Sequence, residues 1–241
     1  DPCLGWSDLD ALLILNDEVI SDQQLLKDAW HEVQQMNEKT LKHIDRLCHH
    51  EFQCIVLSDL KKFPVSLLPP IVFDTMKSVK RAKYRVSFYG NLGSAKNTLF
   101  LYLDLFRDSL DTNIFKHHPI DGIYLEGGFI RLDNSMYQFK YFMSVVCLAP
   151  VVFYNSVGQQ FSKKNAIDRI QFDYPDFDWD LLCSSTRLRE MWPKKSEFPA
   201  NNDIPDWVTR VVRPDYFQQA FKMFDFLVGK SNEIFKFKQK V

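Results

Sequence analysis

Apolar and polar residues recur in a short phrase that the chain repeats four times. The clearest copies occupy residues 120–126 and 167–173, with apolar residues at the first, fourth and sixth positions. Fainter copies begin at residues 52 and 83. Because apolar and polar positions alternate within each phrase, we predict strands that bury one face. The predicted strands are residues 52–57, 84–89, 120–125 and 167–172.

Between these strands, apolar residues recur at three- and four-residue steps, which is typical of amphipathic helices. The longest such stretch is residues 20–50, where Leu26, Trp30 and Val33 belong to one apolar stripe that is predicted to be buried against the core. Pro150 predicts the end of a later helix. Shorter helices are predicted at residues 71–79, 97–110, 134–148, 179–191 and 215–229. Two further strands are predicted at residues 151–154 and 207–212.

The spacing of the phrase predicts the architecture. The copies begin at residues 52, 83, 120 and 167, so they lie 31, 37 and 47 residues apart. A strand and a helix in each interval are typical of parallel β–α units. We therefore predict an α/β protein, with a helical segment (residues 1–50) packed on a domain of four or five irregular strand–helix units (residues 51–241). Two architectures fit: a solenoid of stacked units, or an open doubly wound sheet.

The repeated phrase resembles the leucine-rich repeat, which carries apolar residues at positions one, four, six and eleven. The residues that match are Ile120, Ile123, Leu125 and Ile130, then Ile167, Ile170, Phe172 and Phe177. Because the intervals exceed the roughly 20–29 residues of a regular repeat, the resemblance is to a degenerate form. The irregular spacing is also similar to that of the substrate-binding regions of divergent, nematode-type F-box proteins, although the F-box pattern itself is not found. This resemblance implies a substrate-recognition or adaptor domain.

Composition narrows the class of protein. The chain has 241 residues, a net charge of −1 and five scattered cysteines, unlike the dense, even framework of small secreted domains. We therefore predict an intracellular protein, cytoplasmic or nuclear. The longest apolar run is shorter than the ~20 residues that span a bilayer, which predicts no membrane partner. The chain begins at Asp1 without a basic-then-apolar leader, so we interpret this terminus as a processed end or a fragment boundary.

The outward residues of the two clearest phrases predict an interaction surface. If the strands stack in register, these residues form one strip on the exposed face of the sheet. Aromatic and polar side chains together suit the recognition of another protein. The alternative is a sheet face that is solvated or covered by helices. The predicted protein-binding residues are Tyr124, Glu126, Gln171 and Asp173.

Signatures of catalysis are missing from the sequence. The loop at residues 90–98 lacks the contiguous Gly-Lys-Ser/Thr of a phosphate-binding loop. No nucleophile motif accompanies His117 and His118. We therefore predict no catalytic residues, no metal and no cofactor. The protein is interpreted as a non-enzymatic interaction module whose partner is another protein.

A basic segment supports an alternative function, RNA binding or RNA processing. Positive side chains interleaved with a tyrosine suit phosphates and a stacked base. An enzymatic version of this alternative uses Asp173, Asp176 and Asp178 as ligands of a divalent cation. The competing interpretation of the same segment is the basic end of a helix, where positive charge favours the helix dipole and solubility. The predicted RNA-binding residues are Lys77, Lys80, Arg81, Lys83, Tyr84 and Arg85.

Overall fold

The chain is a mixed protein of helices and strands in which the helices dominate. The computed structural model describes residues 12–41, 52–64, 70–76, 84–89, 94–116, 122–131, 133–195 and 204–238. Over these residues it confirms the predicted mixture of helix and strand. Contacts between Cα atoms divide the chain into two compact units, Asp1–Gly90 and Asn91–Val241. This division lies further along the chain than the predicted boundary after residue 50.

The first unit contains a parallel strand–helix–strand connection. Strand β1 (Leu12–Leu15) lies beside β2 (Gln53–Val56), and helix α1 (Gln23–Met36) connects them with a π-helical turn at Asn37–Leu41. Residues before and after position 50 thus share one sheet, which is why the first unit extends across that position. The predicted strand at residues 52–57 is confirmed in β2. Strand β1 was not predicted, because its four consecutive apolar residues do not alternate with polar ones.

Side-chain hydrogen bonds fix both ends of α1. At the start of the helix, the Asp22 carboxylate accepts hydrogen bonds from two backbone N–H groups of the first turn, at 2.7 and 3.0 Å. At the end, the buried Asn37 side-chain oxygen accepts from the N–H of Phe52 at 3.0 Å and so ties the helix to the approach of β2. The helix predicted at residues 20–50 is thus confirmed in its first half. Residues 42–50 lie outside the described residues.

A second parallel pair follows in the first unit. Strand β3 (Phe63–Pro64) lies beside β4 (Phe88–Tyr89), and α2 (Pro70–Thr75) falls between them in sequence. The strand predicted at residues 84–89 is therefore limited to its last two residues. An aromatic trio packs edge to face here, with ring centroids 5.1–6.2 Å apart, and forms the local core. It consists of Phe63, Phe73 and Phe88.

The second unit contains an antiparallel three-stranded sheet. Strands β5 (Ile114–Phe115), β6 (Ile123–Glu126) and β7 (Phe129–Ile130) lie side by side in that order. Strand β6 confirms the strand predicted at residues 120–125 over its described part. The pairing of β6 with β7 is antiparallel because a two-residue turn returns the chain at once, whereas a parallel partner needs a long crossover. The sheet of this unit therefore differs from the predicted parallel β–α units.

Helices form most of the described part of the second unit. They are α3 (Ser94–Thr112), α4 (Met136–Ser156), α5 (Lys163–Asp173), α6 (Asp180–Lys195), α7 (Asp206–Thr209) and α8 (Tyr216–Lys238). Helix α4 contacts α3, α5, α6 and α8 and so lies at the centre. The core beside it is a cluster of fully buried rings from α3, β5, α4 and α8. These rings are Phe106, Phe115, Phe142, Phe217 and Phe224.

Three predicted strands are wrong, because the chain is helical there. Residues 151–154 continue α4, which runs through the buried Pro150. Residues 167–172 belong to α5, and residues 207–212 form α7 and the turn after it. The first and fourth positions of the phrase are three residues apart, a spacing that also suits one face of a helix. In α5 that face buries Ala166, Ile167 and Ile170.

One helix in the described part of the chain is long and apolar enough to cross a membrane by length and composition. It is the span Gln138–Ser156 within α4. Most of this span, 67%, is buried inside the structure, as expected for the central helix of a helical unit. The match is therefore weak evidence for a membrane span.

Candidate functional site

A β-hairpin in the second unit presents the predicted residues Tyr124 and Glu126. Gly127 and Gly128 form the turn between β6 and β7, and both have positive φ angles, 54° and 81°. Two successive positive φ angles are typical of the tight hairpin turn that matches the twist of its strands, and glycine adopts them without strain. The turn fixes which residues of the two strands lie opposite each other.

The register of the hairpin brings two aromatic residues and two charged residues onto one exposed face. Glu126 lies directly opposite Phe129, and Leu125 lies opposite Ile130. The next pair is Tyr124 and Arg131, joined by a hydrogen bond of 3.1 Å from the Arg131 N–H to the Tyr124 carbonyl. The side chains of Leu125 and Ile130 are buried, so their neighbours point outward. We call this surface the hairpin face; it consists of Tyr124, Glu126, Phe129 and Arg131.

The aromatic residues of the hairpin face are open to solvent. Tyr124 keeps 47% of its surface exposed and Phe129 keeps 50%. Directly opposed residues of an antiparallel pair have Cβ atoms about 4.5–5.5 Å apart, so Phe129 lies next to Glu126. Tyr124 lies two residues from Glu126 on the same strand face. The face is therefore a contiguous patch in which a carboxylate has an aromatic neighbour along the strand and another across it.

The Asn134 side chain forms hydrogen bonds with the backbone of this hairpin. Its side-chain oxygen accepts from the Tyr124 N–H at 2.5 Å, and its side-chain NH₂ donates to the carbonyls of Tyr124 and Arg131 at 2.9 and 2.6 Å. Asn134 is 3% exposed, so the side chain that makes these bonds is buried. The amide thus accepts from and donates to the strand backbone, as the peptide groups of a neighbouring strand do. It fixes the backbone at both members of one cross-strand pair.

The charged residues of the hairpin face differ in their partners. The Arg131 guanidinium makes a bidentate ion pair with Asp133, in which Nε donates to Oδ1 at 2.9 Å and Nη2 donates to Oδ2. This hydrogen bonding raises the pKa of Arg131 and lowers the pKa of Asp133. Within the described residues no hydrogen bond or ion pair reaches the Glu126 carboxylate. The charge of Arg131 is therefore balanced by Asp133, and Glu126 leaves the face with a negative charge.

Gln171 and Asp173 lie on α5 and not on a strand beside the hairpin. The Gln171 side chain donates to the Ile167 carbonyl at 3.0 Å and accepts from the Cys183 thiol at 3.2 Å. Asp173 accepts from the Tyr154 hydroxyl at 2.8 Å and from Arg169 at 2.9 Å. The predicted strip of four outward residues on one sheet is therefore wrong, because residues 167–172 are helical. The protein-binding role of Gln171 and Asp173 stays a prediction.

The acidic segment after α5 is bonded internally. The Asp178 carboxylate accepts from the N–H of Asp180, the first residue of α6, at 2.9 Å and so satisfies a backbone donor at the start of that helix. Asp176 lies in the exposed turn between the helices. Within the described part of the chain, no group of three or more His, Cys, Asp or Glu side chains is arranged to hold a metal ion. The structure therefore does not bring the proposed cation ligands Asp173, Asp176 and Asp178 together.

The basic segment is described only at its end. Lys77, Lys80, Arg81 and Lys83 lie outside the described residues, whereas Tyr84 and Arg85 precede β4 and are exposed. Nearby on the same parallel pair, the Lys62 ammonium lies 5.2 Å from the ring centroid of Tyr89, which is also exposed. Aromatic and basic side chains thus share the described surface around β3 and β4. The sequence predicted a combination of aromatic and basic side chains only within residues 77–85, so Lys62 and Tyr89 extend it.

Part of the apolar stripe on α1 is uncovered. Val33 is buried, as the sequence predicted, but Leu26 and Trp30 on the same stripe are exposed, Trp30 by 58%. The predicted core-facing stripe is therefore confirmed only towards the end of the helix. The described residues do not show what covers the first half of this stripe.

The sequence prediction missed three residues of the hairpin: Phe129, Arg131 and Asn134. Phe129 and Arg131 lie between the predicted strand at residues 120–125 and the predicted helix at residues 134–148, and Asn134 lies at the start of that helix. The Gly-Gly pair between two short apolar segments is a signal that locates Phe129, because a two-residue loop predicts a hairpin with Phe129 opposite Glu126. Asn134 gives no comparable signal, since its role depends on bonds to backbone atoms up to ten residues away.

Comparisons with known proteins complete the description of this site. No protein-family model matches the chain, and neither the curated proteins nor the solved structures give a match.

Proposed function

We propose that this protein is a non-enzymatic protein-interaction module and that the hairpin face is its contact surface. The observation that carries the proposal is the pair of exposed rings, Tyr124 and Phe129, on a backbone held by hydrogen bonds to the buried Asn134. Aromatic side chains supply large contact area and dominate binding energies at protein interfaces. A rigid support reduces the entropy that is lost when they bind. These properties support recognition of a protein surface.

Substitution of either ring is expected to weaken partner binding. We expect Tyr124→Ala and Phe129→Ala each to lower affinity by roughly fivefold or more, because anchors of this kind contribute over 1 kcal/mol. The measurement begins with proteins captured from native extract on the immobilised wild-type chain. The captured partner is then purified, and its dissociation constant is measured for each variant by calorimetry.

A matched control separates this surface from general stickiness of exposed rings. Phe172 on α5 is 75% exposed, more than either anchor, so Phe172→Ala removes an exposed ring elsewhere in the same unit. We expect this variant to bind the partner like the wild type. Equal affinity of the wild type, Tyr124→Ala and Phe129→Ala would remove the hairpin face from the proposal. Circular dichroism shows whether each variant remains folded.

The finer architecture and role are also proposals. The two parallel strand pairs of the first unit support irregular strand–helix units there, and such pairs are common to repeats of strand–helix units and to open doubly wound sheets. On the same basis, and on the resemblance to divergent F-box proteins, we propose a substrate-recognition or adaptor role. A purified partner identified in the experiment above would reveal whether it is a substrate or an assembly component.

RNA binding is a second candidate function, favoured by the exposed surface around β3 and β4. Tyr84 and Tyr89 are exposed rings on which bases stack, while Lys62 and Arg85 supply positive charge beside them. We expect a fourfold variant that replaces Lys80, Arg81, Lys83 and Arg85 with Gln to lose affinity for a labelled single-stranded RNA by about tenfold. The slope of the logarithm of the association constant against the logarithm of the salt concentration should become less negative by about 0.7 for each lost phosphate contact.

The control for this prediction neutralises basic residues in the other unit. Lys222→Gln with Lys236→Gln should leave RNA binding and its salt dependence unchanged. Fluorescence anisotropy over a range of salt concentrations provides the measurement. Absence of binding by the wild type at low salt would exclude this second function.

A further inference from the structure

The hairpin face carries one carboxylate, and its setting indicates what a partner places there. Glu126 lies directly opposite Phe129 and two residues from Tyr124 on the same strand face. Both rings are exposed, and the described part of the chain contributes no hydrogen bond or ion pair to this carboxylate. An incoming group can therefore reach the carboxylate oxygens and the two ring faces at once.

The local charge favours a cation over an anion. Arg131 is the positively charged member of the hairpin face, but its Nε and Nη2 groups already bind Asp133. Glu126 contributes to the raised pKa of Arg131, behind the larger contribution of Asp133, so the two carboxylates act on one guanidinium. The described charges of this surface, those of Glu126, Arg131 and Asp133, sum to −1. An acidic or phosphorylated partner would be repelled here.

Among cationic groups, the planar guanidinium fits this arrangement best. It donates in a fork to a carboxylate and at the same time stacks on aromatic rings, whereas an ammonium is compact and strongly hydrated. Contact of a cation with Tyr or Phe adds to the ion pair when the cation lies within about 6 Å of the ring centroid. The surface thus offers both kinds of contact that an arginine side chain uses.

We infer that the hairpin face binds a protein segment that inserts an arginine side chain between Tyr124 and Phe129, where it pairs with Glu126. The inference rests on the proposed function and specifies the partner's chemistry. Glu126 determines the charge specificity, and the two rings provide the apolar contact. The face recognises arginine in a partner because the protein's own Arg131 is held by Asp133.

The test uses N-acetyl-arginine methylamide as a probe of the 241-residue chain. Its neutral analogue, N-acetyl-citrulline methylamide, has nearly the same shape but no charge. Both are titrated at constant ionic strength while backbone amide signals of Tyr124, Glu126 and Phe129 are followed by nuclear magnetic resonance. We expect arginine to shift these signals, with an association constant about threefold to fivefold above that of citrulline.

A conservative variant makes the test specific. Glu126→Gln keeps the size of an exposed side chain, so folding is expected to be unchanged, and it should remove the preference for arginine over citrulline. Tyr124→Ala should weaken binding of both probes. Equal shifts with the two probes, an unchanged arginine preference in Glu126→Gln, or shifts confined to other residues would each overturn the inference.

These outcomes are distinct from those of the partner-binding experiment. If Tyr124→Ala weakens partner binding but Glu126→Gln does not alter it, the hairpin face is an interaction surface for a partner of different chemistry. If the arginine preference is found while both alanine variants bind the captured partner normally, the proposed function fails although the arginine site remains. Each of these results therefore overturns one hypothesis and leaves the other standing.

Discussion

Phe106→Ala is expected to destabilise the second unit by roughly 3–5 kcal/mol, the usual cost of removing a fully buried phenylalanine side chain. The Phe106 ring is completely buried on α3. Its centroid lies 4.6 Å from that of Phe115 and 5.1 Å from those of Phe217 and Phe224. Truncation leaves a cavity where α3, β5 and α8 meet. Urea unfolding followed by far-ultraviolet circular dichroism would show the transition that loses helix moving to lower urea concentration.

The control for this prediction is again Phe172→Ala, which removes the same side chain from an exposed site. Surface substitutions of this kind change stability by less than about 0.5 kcal/mol. A conservative Phe106→Leu variant should fall between the two, because it keeps part of the buried volume. Unfolding midpoints that coincide for the wild type and Phe106→Ala would show that this cluster is not the core of the unit.

Asn134→Leu is expected to destabilise the second unit by about 2–3 kcal/mol and to loosen the hairpin. The substitution removes the acceptor of the Tyr124 N–H and a donor to the Arg131 carbonyl, and each shielded group left without a partner costs about 1–3 kcal/mol. The Tyr124 carbonyl keeps its bond from the Arg131 N–H. Amide hydrogen exchange at Tyr124 should accelerate more than exchange at the helical core.

Two variants distinguish the hydrogen bonds of Asn134 from its volume. Asn134→Asp keeps the acceptor for the Tyr124 N–H but loses both donors, so we expect it to restore protection of that amide without restoring full stability. Ser156→Ala removes a different buried polar group, which bonds to Ser231 at 3.0 Å, and should leave the hairpin amides unchanged. If Asn134→Leu left exchange at Tyr124 at the wild-type rate, the proposed clamp would be excluded.

The sequence predicted those elements whose apolar period was long or whose ends carried clear turn residues. Helix α3 and the first half of the residue 20–50 helix followed from spacing, and β6 followed from alternation ended by Gly127 and Gly128. The phrase at residues 167–173 misled because its apolar positions suit both a strand and a helix. Packing decided between them: Ile167 and Ile170 are buried together on one face of α5.

The candidate site was partly predictable for a similar reason. Alternation alone places Tyr124 and Glu126 on an outward face. The identity of their neighbours depends on pairing between strands, which the phrase did not specify. Gln171 and Asp173 were assigned to the same surface through repetition, and the helical state of that copy separates them from it. Pro150 was interpreted as a helix end, but its helix continues to Ser156 within a buried setting that local sequence does not reveal.

The Gly127–Gly128 turn has a consequence for how this surface changes over evolutionary time. Side chains on a strand alternate between faces with a period of two, so one residue inserted before β7, with the two-residue turn kept, would shift the pairing of β7 by a single step. Ile130 would then point outward and Phe129 inward, exchanging an aromatic surface for an aliphatic one. An insertion of two residues would leave Phe129 pointing outward and Ile130 pointing inward, as they do now. With the turn geometry kept, the parity of the loop length therefore determines which side chains of β7 form the exposed surface.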